Sequence, residues 1–241
     1  MSQPANKFQK EHSFQIFNRI ASTYDLLNHL LSFGIDIYWR NKILKNLPNK
    51  NNLHCLDLAT GTGDMALGLA KCPRVKSVVG LDKSVGMLEV GMEKTKRQNL
   101  HKKCELVVGD GTNLAAFEDN SFDVVTLCFG IRNFSDPVKS LKEINRVLTQ
   151  GGKAYVLEFS LPKNWFVRKF YLFYFRHVLP TVGKIISKDP YAYTYLNETV
   201  ESFPYGDEFV HWMNEAGLTN NKHLPLTFGI ATLYTGFSSH K

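Results

Sequence analysis

Leu53-His54-Cys55-Leu56-Asp57-Leu58-Ala59-Thr60-Gly61-Thr62-Gly63-Asp64 is an apolar run that turns sharply at two glycines and re-emerges as Met65-Ala66-Leu67-Gly68-Leu69-Ala70. It reads as strand, tight turn and helix. Without a Cβ, the backbone at Gly61 and Gly63 can bend and approach a bound molecule closely. The helix that follows offers unpaired N–H groups beside the turn. Asp82 closes the next apolar run, Ser77-Val78-Val79-Gly80-Leu81. At about twenty residues from the turn, a carboxylate there can accept hydrogen bonds from both hydroxyls of a ribose. The arrangement predicts a nucleoside-bearing cofactor.

Gly61-x-Gly63-x-x-Ala66 fits the dinucleotide fingerprint, but that pattern alone does not choose a cofactor. Asp57 stands four residues before Gly61, and Asp64 opens the helix. Two carboxylates around the loop disfavour a pyrophosphate and suit a cationic amino-acid ligand such as S-adenosylmethionine. Read without a ligand, the same two aspartates are a turn residue and a helix N-cap.

The length of 241 residues suits one α/β unit with decoration, and 44% hydrophobic content is ordinary for a water-soluble core. The expectation is a single unit over 1–241, with a helical cap at 1–47 and a helical insertion at 164–203. No run reaches the ~18 apolar residues of a membrane span, and the first residues lack the apolar core of a signal peptide. Cys55, Cys72, Cys104 and Cys128 have no metal-ligand spacing. They read as free thiols of a cytoplasmic protein without a metal.

The formal charge is +7. From Phe159 to Lys188 there is no Asp or Glu, while Lys163, Arg168, Lys169, Arg176, Lys184 and Lys188 are interleaved with Trp165, Phe166, Phe170, Tyr171, Phe173, Tyr174 and Phe175. One reading is an aromatic helix packed in the core, its lysines snorkelling outward. The other is a basic aromatic surface that touches an anionic membrane or covers a greasy substrate.

Along the chain, Phe8 to Leu47 reads as helical with a break near Thr23-Tyr24-Asp25. Strands are predicted at 53–58, 76–82, 104–108, 122–129 and 153–159, with Gly151-Gly152 turning into the last of these. Helices are predicted at 64–71, 84–97, 136–148 and Asp207 to Ala216. Two final strands near 218–223 and 226–237 form a hairpin around Leu224-Pro225. Alternating strands and helices mean a largely parallel sheet covered on both faces. Ligands of such sheets bind at the carboxyl ends of the strands. That gathers Asp57 to Gly63, Asp82, Gly109-Asp110-Gly111 and Cys128 to Asn133 around one crevice. Asp110 is placed to meet the exocyclic amine of an adenine, or else is only a turn aspartate.

Three blocks resemble the quinone C-methyltransferases that act on demethylmenaquinone and, in some members, on a ubiquinone precursor. The first runs from Phe17-Asn18-Arg19-Ile20-Ala21 through Tyr24-Asp25, Asn28 and Ser32-Phe33-Gly34 to Trp39-Arg40. The second is Asp57-Leu58-Ala59-x-Gly61-Thr62-Gly63-Asp64. The third runs from Phe129-Gly130-x-Arg132-Asn133 through Arg146-Val147-Leu148 and Gly151-Gly152 to Leu157-Glu158-Phe159-Ser160. The first and third are specific to that family; the second is widespread among methyltransferases.

The resemblance implies a Rossmann-like class I methyltransferase fold, with a seven-stranded, mostly parallel sheet. It implies S-adenosylmethionine as cofactor, held at Thr62, Asp82, Asp110 and Gly111, and at Cys128 where the family usually has serine. Other departures are Thr60 for a usual glycine, Asp36 for a usual histidine and Thr149-Gln150 for a usual lysine-proline. The methyl acceptor is expected to be a polyprenyl quinol, with Arg132 and Asn133 on its oxygen and Tyr24 and Asp25 closing over it. Read without the family, Tyr24-Asp25 is a helix N-cap with a packed ring. Naphthoquinol and benzoquinol both remain open, with demethylmenaquinol favoured by the family alone. Oligomerisation as a homo-oligomer also stays open. Association would be peripheral, at the inner face of the membrane. The rivals are an RNA methyltransferase, for which the chain lacks Asn-Pro-Pro-Tyr and Pro-Cys motifs, and a catalytically dead lipid- or nucleoside-binding protein. No nucleic-acid partner is expected.

Overall fold

The computed structural model describes residues 10, 12–181 and 190–240, with side chains described throughout these except at 27, 31 and 190–194. In chain order the elements are α1 (Ser13–Leu31), α2 (Ile35–Lys45), β1 (Leu53–Leu58), α3 (Asp64–Lys71), β2 (Val75–Asp82), α4 (Val85–Arg97), β3 (Cys104–Val108), β4 (Phe122–Cys128), α5 (Pro137–Val147) and β5 (Leu148–Phe159). Then come α6 (Trp165–Phe173), a π-helical turn at Tyr174–Val178, α7 (Pro190–Ser202), α8 (Asp207–Glu215), β6 (Thr219–Leu226) and β7 (Ala231–Phe237).

The seven strands lie in the order β3-β2-β1-β4-β5-β7-β6. The first five pair in parallel, and β7 runs antiparallel between β5 and β6. Strand order reverses between β1 and β4, and this switch point opens the crevice at the carboxyl ends of both strands. Side chains alternate across β1. Leu53 and Cys55 enter one apolar layer with Leu69 and Leu88, whereas Leu56 and Leu58 enter the other with Leu141, Ile144 and Phe209. Burial on both faces makes the central strands continuous apolar runs. Each fully buried leucine or isoleucine contributes about 2 kcal/mol. A third cluster, with Ile16, Ile20, Tyr171, Phe175 and Tyr195, roofs the carboxyl end of the sheet.

Helix starts follow local chemistry. The Ser84 hydroxyl accepts from Met87 N–H at the head of α4, and the Asp136 carboxylate accepts from Lys139 N–H ahead of Pro137.

Three expectations are corrected. The N-terminal break falls at Ser32-Phe33-Gly34, where Gly34 has φ of 72°, and α1 continues through Thr23-Tyr24-Asp25. The Asp25 carboxylate is engaged by Thr62 and Lys94 from other elements, so it does not compete for its own backbone. Strand β5 begins at Leu148, which pairs with Phe122, and Gly151-Gly152 forms an irregularity inside it. The final hairpin turns at Thr227-Phe228-Gly229, while Leu224 and Pro225 pair with Leu233 and Thr232. Proline is tolerated there because β6 is the sheet edge. The expected start of the first helix at Phe8, and Lys184 and Lys188, lie outside the described residues.

Candidate active site

The loop after β1 crosses the crevice with Ala59, Gly61 and Gly63 at φ of 49°, 56° and 84°. Asp82, at the end of β2, anchors it. Its carboxylate accepts from Gly61 N–H and Ser84 N–H, each at 2.8 Å, and burial raises its pKa. Asp82 lines a narrow cleft with Gly61, Asp110, Gly111, Cys128 and Asn133. A Cβ on Gly111 would lie 2.6 Å from the Phe134 ring, so the cleft is shaped around a bare backbone. Against the upward push of burial, Lys83 at 2.7 Å and Thr112 hold the Asp110 carboxyl below its usual range. Burial raises the Cys128 thiol, which stays neutral. The Asn133 Oδ1 atom is a buried acceptor without a partner. This wall carries carboxylates at two strand ends and an unused acceptor, and it suits a ligand rich in hydroxyl and amine donors such as S-adenosylmethionine.

Asp57, Thr62 and Gly63 do not line this cleft. Asp57 is 1% exposed beneath the loop, where Thr126 and Thr60 hydroxyls donate to it at 2.6 and 2.7 Å. Burial raises its pKa to about 6. Thr62 donates to Asp25 at 2.5 Å, and the Lys94 ammonium lies 2.7 Å from both Asp25 and Asp64. The negative charge around the loop, read as a selector for a cationic ligand, is thus largely neutralised within the protein. Gly63, left-handed, caps the start of α3, so Asp64 is its first residue and not its N-cap.

Beside the cleft lies an apolar cavity of about 470 Å³ beneath α1 and α6. Phe17, Tyr24 and Phe129 border both spaces. Phe129 has φ of 59°, uncommon for a bulky residue, immediately past the end of β4. Its ring packs on Phe159 with centroids 4.6 Å apart. Two guanidinium groups lie over this ring pair, Arg40 5.4 Å from the Phe129 centroid and Arg132 5.4 Å from that of Phe159. Each carries its own carboxylate: Arg40 meets Asp36 at 2.5 Å and Arg132 meets Glu158 at 2.7 Å. Burial raises the Glu158 pKa, opposed by Arg132. Tyr24 lies in the field of both cations, yet burial raises its pKa.

Arg132 lines the large cavity and Asn133 the cleft, so the two residues expected to share one substrate oxygen face different spaces. Asp25 faces neither. Arg40, Asp36 and Glu158 were not among the predicted site residues. The i, i+4 spacing of Asp36 and Arg40 on a helix would have signalled that pair. No residue pattern announces the left-handed backbone of Phe129.

The aromatic stretch splits between its two readings. Tyr171 and Phe175 are buried, whereas Trp165, Phe166, Phe170 and Phe173 are each more than 60% exposed. Phe170 also borders the cavity, as do Phe33 and Phe228, which are 79% and 81% exposed. These three residues form an aromatic rim.

The fold is that of methyltransferases. A S-adenosylmethionine-dependent methyltransferase from Thermotoga maritima superposes with a TM-score of 0.66 at 20% identity, over 95% of this chain and all of that one. A demethylmenaquinone methyltransferase of Bacteroides fragilis is 41% identical over 227 residues, 94% of this chain and 92% of that protein. The ubiquinone/menaquinone biosynthesis C-methyltransferase UbiE of Geotalea daltonii is 43% identical over 223 residues, 92% of this chain and 94% of that protein. With residues 5–238 also matching its family model, the chain belongs to the ubiE/COQ5 methyltransferase family.

Proposed function

We propose that this protein transfers the methyl group of S-adenosylmethionine to a ring carbon of a polyprenylated quinol, converting demethylmenaquinol to menaquinol. The observation that carries the reading is the shared border at Phe17, Tyr24 and Phe129, where a polar nucleoside-type cleft meets an apolar cavity. When bound, S-adenosylmethionine supplies an electrophilic methyl on a positively charged sulfur. Asp82, Asp110, Gly111 and Asn133 would hold it from the cleft wall.

The protein's own contribution is position and charge. The tilted ring pair of Phe129 and Phe159 gives the quinol ring an aromatic wall, and Tyr24 sets its edge at the opening to the cleft. A ring ionised at one hydroxyl is the better carbon nucleophile, and the buried Arg132 guanidinium favours that anion. Holding the ring carbon in line with the methyl supplies much of the rate. Exchange of ring C–H for C–CH3 releases one proton. Asp36, on the cavity wall, pairs at 2.9 Å with His29, whose side chain is 36% exposed, and the two give that proton a path to solvent.

The rim of Phe33, Phe170 and Phe228, flanked by Trp165, Phe166, Phe173 and Lys169, is assigned to an anionic membrane surface from which the prenyl chain enters. Among the described residues no helix is long and apolar enough to cross a membrane.

The test is a purified-protein assay with S-adenosylmethionine and short-chain demethylmenaquinol under reducing conditions, with product mass read by chromatography. A species heavier by one methylene is expected. A parallel assay on 2-polyprenyl-6-methoxy-benzoquinol decides between the two ring systems, and activity on neither would refute the proposal.

A further inference from the structure

Two residues that line the large cavity each carry a buried hydrogen-bond donor without a partner: Arg132 its Nε and Tyr171 its hydroxyl. Arg132 is 4% exposed and Tyr171 8%. An unsatisfied buried polar group costs about 1–3 kcal/mol, and native proteins keep few of them. Four other orphaned atoms among the described residues, on Gln98, Asn197, Asn221 and His223, line neither the cavity nor the cleft. Two orphaned donors on the wall of one apolar cavity therefore point to a ligand oxygen.

Both groups are held in place by their remaining contacts. Arg132 Nη1 is committed to Glu158 and to the Phe129 carbonyl, which leaves Nε buried without a partner and Nη2 free to follow the same ligand. The Tyr171 ring stacks on Phe175 with centroids 5.0 Å apart and an interplanar angle of 28°. The Phe175 ring centroid lies 6.2 Å from that of Phe159, over which Arg132 sits, so Tyr171 and Arg132 flank one aromatic cluster of the cavity wall. Burial raises the Tyr171 pKa, so its proton stays available for donation.

We propose that the Tyr171 hydroxyl and Arg132 Nε together form the socket for one oxygen of the quinol ring, with Tyr171 as a substrate-binding residue. The inference rests on the quinol reading of the cavity. Two donors, one of them on a cation, favour an ionised ring oxygen over a neutral carbonyl, because charge-assisted hydrogen bonds are roughly twice as strong as neutral ones. The socket therefore binds the reduced, ionisable ring in preference to the quinone. It also fixes ring orientation, because the prenyl tail must leave towards the rim of Phe33, Phe170 and Phe228.

Tyr171→Phe separates this role from a structural one. It keeps the stacked ring and deletes an unsatisfied hydroxyl, so the unliganded variant is expected to melt at or above the wild-type temperature. Its KM for short-chain demethylmenaquinol, and its dissociation constant for 1,4-naphthohydroquinone measured under reducing conditions, should each rise about tenfold. Affinity for S-adenosylhomocysteine should not change. A KM and dissociation constant within twofold of wild type would overturn the socket while leaving the quinol activity standing. So would a lowered melting temperature with parallel losses for both ligands. A wild-type protein that binds and methylates no quinol would overturn the activity, and the socket with it.

Discussion

The Lys94 ammonium lies 2.7 Å from the Asp25 carboxylate and so joins the helix after β2 to the N-terminal helix that roofs the site. The same ammonium lies 2.7 Å from Asp64 and 3.1 Å from the Thr62 hydroxyl. One cation thus gathers the cap, the glycine loop and the start of α3. These contacts support a proposed clamping role for Asp25 between the cap and the glycine loop. Lys94→Met leaves two facing carboxylates and should cost about 2–3 kcal/mol in chemical denaturation. Asp25→Asn should weaken cofactor binding several-fold yet keep turnover within threefold at saturating cofactor. Collapse of that saturated turnover would refute the clamp and place Asp25 in the chemical step.

Arg132 and Glu158 are 4% and 1% exposed, so removing either alone strands a charge in the core. Arg132→Met should cost about 3–5 kcal/mol. The double change Arg132→Met/Glu158→Gln should recover most of that stability without recovering turnover. Denaturation curves and methylation rates on the same preparations check the two halves separately.

Asp57 carries a pH signature. Its folded-state pKa of about 6 lies above the unfolded value of about 3.9, because burial disfavours the charged form. The folded state therefore binds the proton more tightly. The contribution to stability is full below about pH 4 and is lost as pH rises through about 6. Asp57→Asn, which cannot ionise, should exceed wild type by up to about 3 kcal/mol above pH 7. The gap should close towards pH 4. A gap that widens on acidification would reverse the assignment.

Trp165, Phe166 and Phe173 are exposed yet do not border the cavity. Replacing all three with serine should abolish flotation with anionic liposomes at low salt. Turnover on a water-dispersed short-chain quinol should stay at the wild-type level, while turnover on a long-chain quinol embedded in vesicles should fall at least tenfold.

The β-α alternation, most strand limits and the crevice at the strand ends were legible in the chain. These are local signals: apolar periodicity, a glycine turn, and caps such as Ser84 and Asp136 act over a few residues. The three corrected elements show where such signals stop. A mid-helix Asp25 looks like a helix break until Lys94 and Thr62 arrive from other elements. Likewise Leu224-Pro225 looks like a turn until its strand proves to be the sheet edge.

By itself the sequence determined the fold class and the family, and with Asp82, Asp110 and Gly111 it marked the cleft. Only the tertiary structure decided how the charges are shared. It buried Asp57, spent Asp25 and Asp64 on Lys94, parted Arg132 from Asn133, and brought Asp36 and Arg40 of α2 to one cavity with Tyr171 of α6, far away in the chain. The reason is physical: a charge finds its partner by distance in space, and sequence spacing reports that distance only within a single helix or turn.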